Sequence, residues 1–355
     1  MAKVIINKRD KRVRGGAYSG QATGPCTVVS GRNNTAGFRP FPTWLQAMTP
    51  NLRIMLKEAL GDLLPEVEEI RLRIGRPVLL RLGQKEVTVD NANRLTSHLQ
   101  RGVAVTRQEL ERNLEILSQS SLYAWEDEFK NGYLTIPGGH RIGLAGRGVL
   151  EKGEIKTLKD ISGFNYRIGR EIRGCSDEVI PFVVGKDKVY STIIVSPPRC
   201  GKTTLLRDMV RQLSDGVEEL GFGGVNVGLV DERSEIAGMY LGEPQFDIGL
   251  RTDVLDACPK AQGMIMLIRS MSPGIVATDE IGKKEDVQAL YESLRAGVSV
   301  ITTVHGSSME DVLERPVLKD LLCGGFFERL VVLSRRKGAG TLESIHDGKT
   351  LERMN

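Results

Sequence analysis

The sequence predicts an α/β protein in which a mostly parallel, helix-covered sheet is preceded by a smaller mixed α+β domain. Three observations carry that expectation. From Lys188 onward, short apolar strands alternate with amphipathic helical patterns, the arrangement that builds a parallel sheet. Between the first of these strands and the helix after it lies a run with phosphate-loop spacing, Ser196-Pro197-Pro198-Arg199-Cys200-Gly201-Lys202-Thr203-Thr204. Before Lys188 the pattern changes to residue-by-residue alternation, glycine turns and isolated helices.

In chain order, Leu52 to Leu60 reads as a helix. Ile70, Leu72 and Ile74 alternate with Arg71 and Arg73, the period of a half-buried strand. Gly75, Arg76 and Pro77 turn the chain into Val78 to Leu82. Thr106 and Glu109 have capping-box spacing ahead of Leu110, Leu114 and Leu117, which share one helix face. Tyr133 to Ile136 and Arg141 to Ala145, separated by Pro137, Gly138 and Gly139, read as a hairpin. Gly153 to Arg173 reads as a connector with Arg167, Arg170 and Arg173 at three-residue spacing, either an exposed basic face or a source of one guanidinium for a phosphate.

In the larger domain, Tyr190 to Val195 is the first strand. Leu205, Leu206, Met209, Val210 and Leu213 form the buried stripe of the next helix. Val225 to Val230, Ile275 to Thr278 and Val298 to Val304 are further strands, and Val287, Leu290, Tyr291 and Leu294 mark a helix before the last of them. The expected division is a basic tail over 1–42, an N-terminal domain over 43–152, a connector over 153–187 and the larger domain over 188–355.

Composition narrows the function. At 355 residues, with 40% hydrophobic and 26% charged residues, the chain can bury two or three cores. No apolar run approaches the roughly 20 residues of a membrane-spanning helix, and no secretory leader is apparent, so the expected compartment is the cytoplasm. Five scattered cysteines without a CxxC pair read as reduced thiols, and the four histidines lack zinc-ligand spacing. The net charge of +4 is uneven: residues 1–41 hold eight basic side chains and Asp10 alone against them, so the rest is mildly acidic. That tail is expected to be disordered, as a solvated extension or as a contact for acidic lipid or nucleic acid.

Phosphates need such a loop because successive backbone N–H groups and a helix N-terminus present many donors to concentrated negative charge. Lys202 would reach the β and γ phosphates of ATP, and the Thr203 hydroxyl would help to hold Mg²⁺. Ser196 stands where the spacing calls for glycine, and serine adopts positive φ less readily. Two later strands end in adjacent carboxylates, Asp231-Glu232 and Asp279-Glu280, either of which could hold the metal or activate water. Because neighbouring strand residues point to opposite faces, one carboxylate of each pair can serve the metal while the other is aimed elsewhere. Thr302-Thr303-Val304-His305 ends a further strand, and open α/β sheets bind ligands at that carboxyl edge.

This ordered set resembles the additional-strand P-loop ATPases of secretion systems and pilus motors. More specifically, Val230 to Gly238, Arg251 to Asp256, Ile268 to Pro273 and Thr278 to Gly282 resemble the stage III sporulation protein AA family of endospore-forming bacteria, over roughly Thr49 to Ser344. The resemblance implies a RecA-like P-loop NTPase core and a cytoplasmic homo-hexameric ATPase of the mother cell. Its implied partners are membrane proteins of a sporulation channel toward the forespore. Carried over, Lys202 and Thr203 bind phosphate and Mg²⁺, Asp279 is the metal-side carboxylate and Glu280 the general base. Asp231, Glu232 and Arg233 form the aspartate box, and His305 senses the γ-phosphate. Arg251, or one of Arg167, Arg170 and Arg173, acts across a subunit boundary. Ser196 departs from the family's glycine, and the tail before Thr43 has no counterpart there.

Two other classes compete with a motor. A nucleotide-dependent nucleic-acid-binding protein would use the basic tail, but the mildly acidic body and 5% aromatic content offer few stacking platforms. A nucleotide-gated scaffold would bind ATP with little turnover.

Overall fold

The computed structural model describes residues 42–118, 129–130, 132–308 and 324–355, together with 311, 312, 314, 319 and 322. The tail over 1–41 lies outside the described residues. Two seven-stranded sheets form the frame.

The first sheet is antiparallel, in the order β4-β3-β2-β1-β7-β6-β5. Its strands are β1 (Val67–Arg73), β2 (Leu79–Leu82), β3 (Lys85–Val89), β4 (Leu95–Thr96), β5 (Tyr133–Ile136), β6 (His140–Glu151) and β7 (Glu154–Arg167). Alternation decides its faces. Ile70, Leu72, Leu80, Ile142, Phe164 and Tyr166 are buried on one side in a core shared with helices α1 (Pro50–Leu60) and α2 (Arg107–Leu117). The Thr106 hydroxyl caps α2 by accepting from the Glu109 N–H. Glu109 does not complete a reciprocal box; its carboxylate accepts from the Thr49 hydroxyl instead.

The stretch read as a connector differs from expectation. Residues 154–167 form β7, which pairs with β1 and β6 in the middle of the first sheet. Ile161, Phe164 and Tyr166 are among its buried residues, and Gly163 passes tightly over Leu72 and Arg73. Glycines and the spaced arginines masked this alternation in the sequence. Only the segment after Arg167 links one sheet to the other.

In the second sheet, in the order β10-β9-β11-β12-β8-β13-β14, every neighbouring pair is parallel except β13 with β14. The strands are β8 (Thr192–Ser196), β9 (Val227–Asp231), β10 (Thr252–Asp256), β11 (Ile275–Glu280), β12 (Ser299–His305), β13 (Arg329–Ser334) and β14 (Thr341–Asp347). β8 and β9 are buried along their whole length, as expected of strands covered on both faces. Helix α3 (Lys202–Asp215) covers one face, setting Leu205, Leu206, Met209 and Leu213 against Ile194, Leu229 and Ile301. Helices α4 (Lys260–Met271) and α5 (Lys284–Arg295) cover the other, where Met264, Leu267 and Leu290 meet Ile193, Val276 and Val300.

The charged face of the first sheet turns toward the carboxyl ends of β8 and β11. Tyr133, Arg141 and Arg167 from that face line one cleft with residues of the second sheet's edge.

Candidate functional site

The cleft encloses ≈ 1020 Å³. Its floor is the turn from β8 into α3. Ser196 is the buried last residue of β8, paired with His305 of β12, and its φ is not positive. Serine is therefore unstrained there, which removes the difficulty raised by the missing glycine. The left-handed positions come later, at Arg199 (φ 60°) and Gly201 (φ 86°). At Gly201 a side chain would also collide with Gly340 of the β13–β14 turn, whose N–H donates to the Cys200 carbonyl at 2.9 Å. That turn buttresses the loop from outside.

Lys202 opens α3 and is buried. Its ammonium donates to the carbonyls of Ser196 (3.0 Å) and Pro197 (3.2 Å) and to His305 Nδ1 (2.8 Å). Because Lys202 can only donate, His305 Nδ1 is the acceptor and the ring proton sits on Nε2. Nε2 lies 2.7 Å from Glu280 Oε2. Lys202, His305 and Glu280 thus form one hydrogen-bonded chain across the cleft. Burial lowers the pKa of the Lys202 ammonium, an effect that the Glu280 carboxylate opposes.

The two acidic strand ends are used differently. Asp231 is fully buried and accepts from the backbone N–H groups of Glu235, Ile236 and Ala237, all at 2.9 Å. It shapes the turn after β9 and does not line the cleft. Glu232 does, and it is joined to Asp279 through Lys260, whose ammonium lies 2.5 Å from Glu232 and 3.0 Å from Asp279 Oδ1. Burial alone would lower the pKa of Lys260, but the two carboxylates outweigh it and raise it. Burial pushes the Asp279 carboxyl up to about 6, against the pull of Lys260. Asp279 Oδ1 has an ion-pair partner but no aligned hydrogen-bond donor.

That under-satisfied buried oxygen suits a divalent cation. Asp279 and the Thr203 hydroxyl, both lining the cleft, are the residues that would hold Mg²⁺ there.

The structure brings together Arg199, Gly201, Lys202, Thr203, Thr204, Glu232, Asp279, Glu280 and His305. Ser196 and Cys200 are buried behind the loop, and neither Pro197 nor Pro198 lines the cleft. Arg251 is elsewhere. Its guanidinium donates to the carbonyls of Ser214 (2.6 Å) and Asp215 (3.2 Å), at the end of α3 remote from the loop. At 1.5 Å per residue, the 14-residue helix puts about 20 Å between the two.

Of the three spaced arginines only Arg167 reaches the cleft. Arg170 pairs with Glu68 (3.7 Å), and Arg173 with Glu171 (2.7 Å) and Asp247 (2.9 Å). The sequence reading missed Arg141, which lies over the Tyr133 ring at 3.4 Å and pairs with Glu235 (2.5 Å). Arg167 meets the same Glu235 oxygen at 3.4 Å. One carboxylate of the second unit therefore clasps two guanidiniums of the first sheet. Lys260 and Glu235 were missed as well, since their partners are remote in sequence; only the charged strand residues around Arg141 and Arg167 gave a signal.

The family described as "Sporulation stage III, protein AA" matches residues 44–353. The stage III sporulation protein AA of Bacillus subtilis (strain 168) is 47% identical over 291 residues, covering 81% of this chain and 90% of that protein. An uncharacterized ycf45 protein of Porphyra purpurea is 28% identical over 190 residues, 53% of this chain and 32% of that one. Among solved structures, the Yersinia pseudotuberculosis ATPase DotB superposes with a TM-score of 0.52 at 14% identity, over 89% of this chain and 83% of that one. At that identity the likeness concerns the fold. No helix of the described residues is long and apolar enough to cross a membrane.

Proposed function

This chain belongs to the sporulation stage III protein AA family, and from that premise we propose that it is an ATP-hydrolysing motor of a sporulation channel complex. The observation that carries the reading is the convergence of Lys202, Asp279, Glu280 and His305 in one cleft between the two sheets. In this reading the unit from β8 onward is a RecA-like P-loop core, and the unit ending with β7 is the N-terminal domain that closes over the nucleotide. The molecule acts as a homo-hexamer in the mother-cell cytoplasm and passes its motion to membrane partners.

The incoming triphosphate takes the Lys202 ammonium away from the Ser196 and Pro197 carbonyls, while backbone N–H groups of Gly201 to Thr204 grip the β-phosphate. When bound, Mg²⁺ neutralises the phosphate oxygens and fixes their orientation. Release of Lys202 frees His305 Nδ1, so the imidazole can report whether a γ-phosphate is present. Glu280 orients a water for in-line attack on the γ-phosphorus and accepts its proton. The new P–O bond forms as the bond to the bridging oxygen breaks, and the electron pair leaves with ADP. Arg141 and Arg167 are placed to exchange Glu235 for the γ-phosphate, which would draw the first sheet inward.

The test is Glu280→Gln, with Lys202→Ala as its counterpart. Glu280→Gln should abolish phosphate release while leaving Mg·ATP binding intact; Lys202→Ala should lose both. Wild-type turnover in Glu280→Gln would remove the general base from the mechanism, and undiminished binding in Lys202→Ala would remove the nucleotide site.

A further inference from the structure

Phe246 is a buried aromatic that joins none of the apolar cores of the two sheets. It lies in the segment between β9 and β10 and is fixed to the second unit in two ways. The backbone N–H groups of Gln245 and Phe246 both donate to the Ala237 carbonyl, at 3.1 and 3.2 Å. The Arg207 guanidinium of α3 lies 3.9 Å from the ring centroid, a cation–π contact. Three glycines surround the ring: Gly139, Gly169 and Gly238. A methyl group added at any of them would lie less than 3.0 Å from a ring atom, so the backbone itself packs on the ring. At Gly139 and Gly238 the left-handed backbone (φ 69° and 61°) also favours glycine. At Gly169 φ is not positive, and close approach alone excludes a side chain.

Each of these glycines sits beside one member of the charge clasp formed by Arg141, Arg167 and Glu235. Gly139 precedes Arg141 by two residues, Gly169 follows Arg167 by two, and Gly238 follows Glu235 by three. Arg141 and Arg167 are direct partners across β6 and β7, and the Gly169 N–H donates to His140 Nδ1 at 3.1 Å, which ties the two strand ends together. Beside the ring, the Gly138 N–H donates to Gln245 Oε1 at 2.9 Å. On the other side, the guanidinium of Arg207 that lies over the ring also donates to the Glu235 carbonyl at 2.7 Å. Two or three residues span at most about 7–10 Å, and packed interiors deform little. Where the ring sets the glycines, it therefore also sets the charged side chains.

We propose that Phe246 is a positioning residue, a keystone between the two units that fixes where Arg141 and Arg167 meet Glu235 and hence where they stand over the cleft. Phe246 does not line the cleft, so it acts through the clasp. The use of the two arginines in turnover rests on the motor reading above; the coupling of the ring to the clasp does not. A ring that only filled space would cost stability when trimmed, yet leave the contribution of Arg141 unchanged. A ring that sets the clasp makes the two changes non-additive, since losing either one loosens the same ion pairs.

The test uses the full chain. Phe246→Leu keeps an apolar side chain at the position, and Gly169→Ala brings one methyl group against the ring without a left-handed backbone to strain. In urea unfolding, the stability losses of Phe246→Leu and Arg141→Ala should fall well short of additive in the double variant, whereas those of Phe246→Leu and Leu110→Ala, in the core of the first sheet, should add. Phe246→Leu and Gly169→Ala should each lower ATP turnover by about tenfold or more while shifting affinity for a Mg·ATP analogue by less than about twofold. In a chain carrying Arg141→Ala and Arg167→Ala, the same replacements should lower the remaining turnover by less than about twofold. Additive stability losses, undiminished turnover in both variants, an affinity loss that matches the turnover loss, or an equal loss of turnover with and without the arginines overturns the inference and leaves the motor reading standing. A wild-type chain that binds the analogue but hydrolyses no ATP overturns the motor reading instead, and the unfolding measurements then decide the inference by themselves.

Discussion

His140 gives the chain a pH dependence that can be worked out from its surroundings. Its ring is buried where β6 begins. Nδ1 accepts from the Gly169 N–H at 3.1 Å, which leaves the Nε2 proton to donate to Thr43 Oγ1 at 2.9 Å. Both contacts belong to the neutral ring, and burial pushes its pKa down to about 4. An unfolded histidine titrates near 6.5. As pH falls through that value the unfolded chain takes up a proton that the folded chain refuses, so stability falls with pH and the loss is complete near 4. Above 6.5 the effect vanishes. The full separation amounts to about 3 kcal/mol, of which about 2 kcal/mol is lost between roughly pH 7.5 and 5. Urea unfolding of the wild type and of His140→Gln across that range isolates the effect, since the variant cannot titrate there. The wild type's advantage should shrink by about 2 kcal/mol toward pH 5. A gap that stays constant or widens would mean that the buried ring is not excluded from protonation.

Two further outcomes are expected from the groups around the cleft. Arg207 donates from α3 to the carbonyls of Ile236 (2.5 Å), Arg170 (2.8 Å) and Glu235 (2.7 Å) and lies 3.9 Å above the Phe246 ring. Arg207→Met strands three carbonyls and should lower stability by about 3–5 kcal/mol in urea unfolding; a loss below about 1 kcal/mol would mean that water replaces the guanidinium. Arg141→Ala should reduce ATP turnover by roughly a hundredfold or more while changing affinity for an ATP analogue far less, as expected of a charge used in the transition state. Equal losses in binding and turnover would make it a ground-state contact.

Local chemistry fixes the features that were legible in the sequence. The β8 run, the loop and the stripe of α3 are contiguous, so their apolar pattern and the Gly201-Lys202-Thr203 triplet required no knowledge of neighbours. The carboxylate pairs were visible, but their division of labour was not. Asp231 turns inward because three amides of the next turn surround it, whereas Glu232 and Asp279 share Lys260 only because β9 lies beside β11. Arg141 and Glu235 are 94 residues apart and meet only after both sheets have formed. The place of Arg251 was hidden for the same reason. Its guanidinium closes the carbonyl end of α3 in its own chain, where a cation is favoured. β7 was overlooked because Gly163 and the polar residues between its apolar ones blurred the alternation.

The clasp at Glu235 offers a physical route from chemistry to motion. Its carboxylate comes directly after the turn that Asp231 organises, and the carbonyl of the same residue is held by Arg207 of α3, the helix that follows the Ser196–Thr204 loop. Arg141 and Arg167 belong to the first sheet. In the proposed motor, a γ-phosphate bound at Lys202 would compete with Glu235 for those two guanidiniums, and its hydrolysis would remove the competitor. Nucleotide state would then choose between two sets of ion pairs across one boundary. A triphosphate that bound without touching Arg141 or Arg167 would have no differential contact with the two arrangements, and could not drive one into the other.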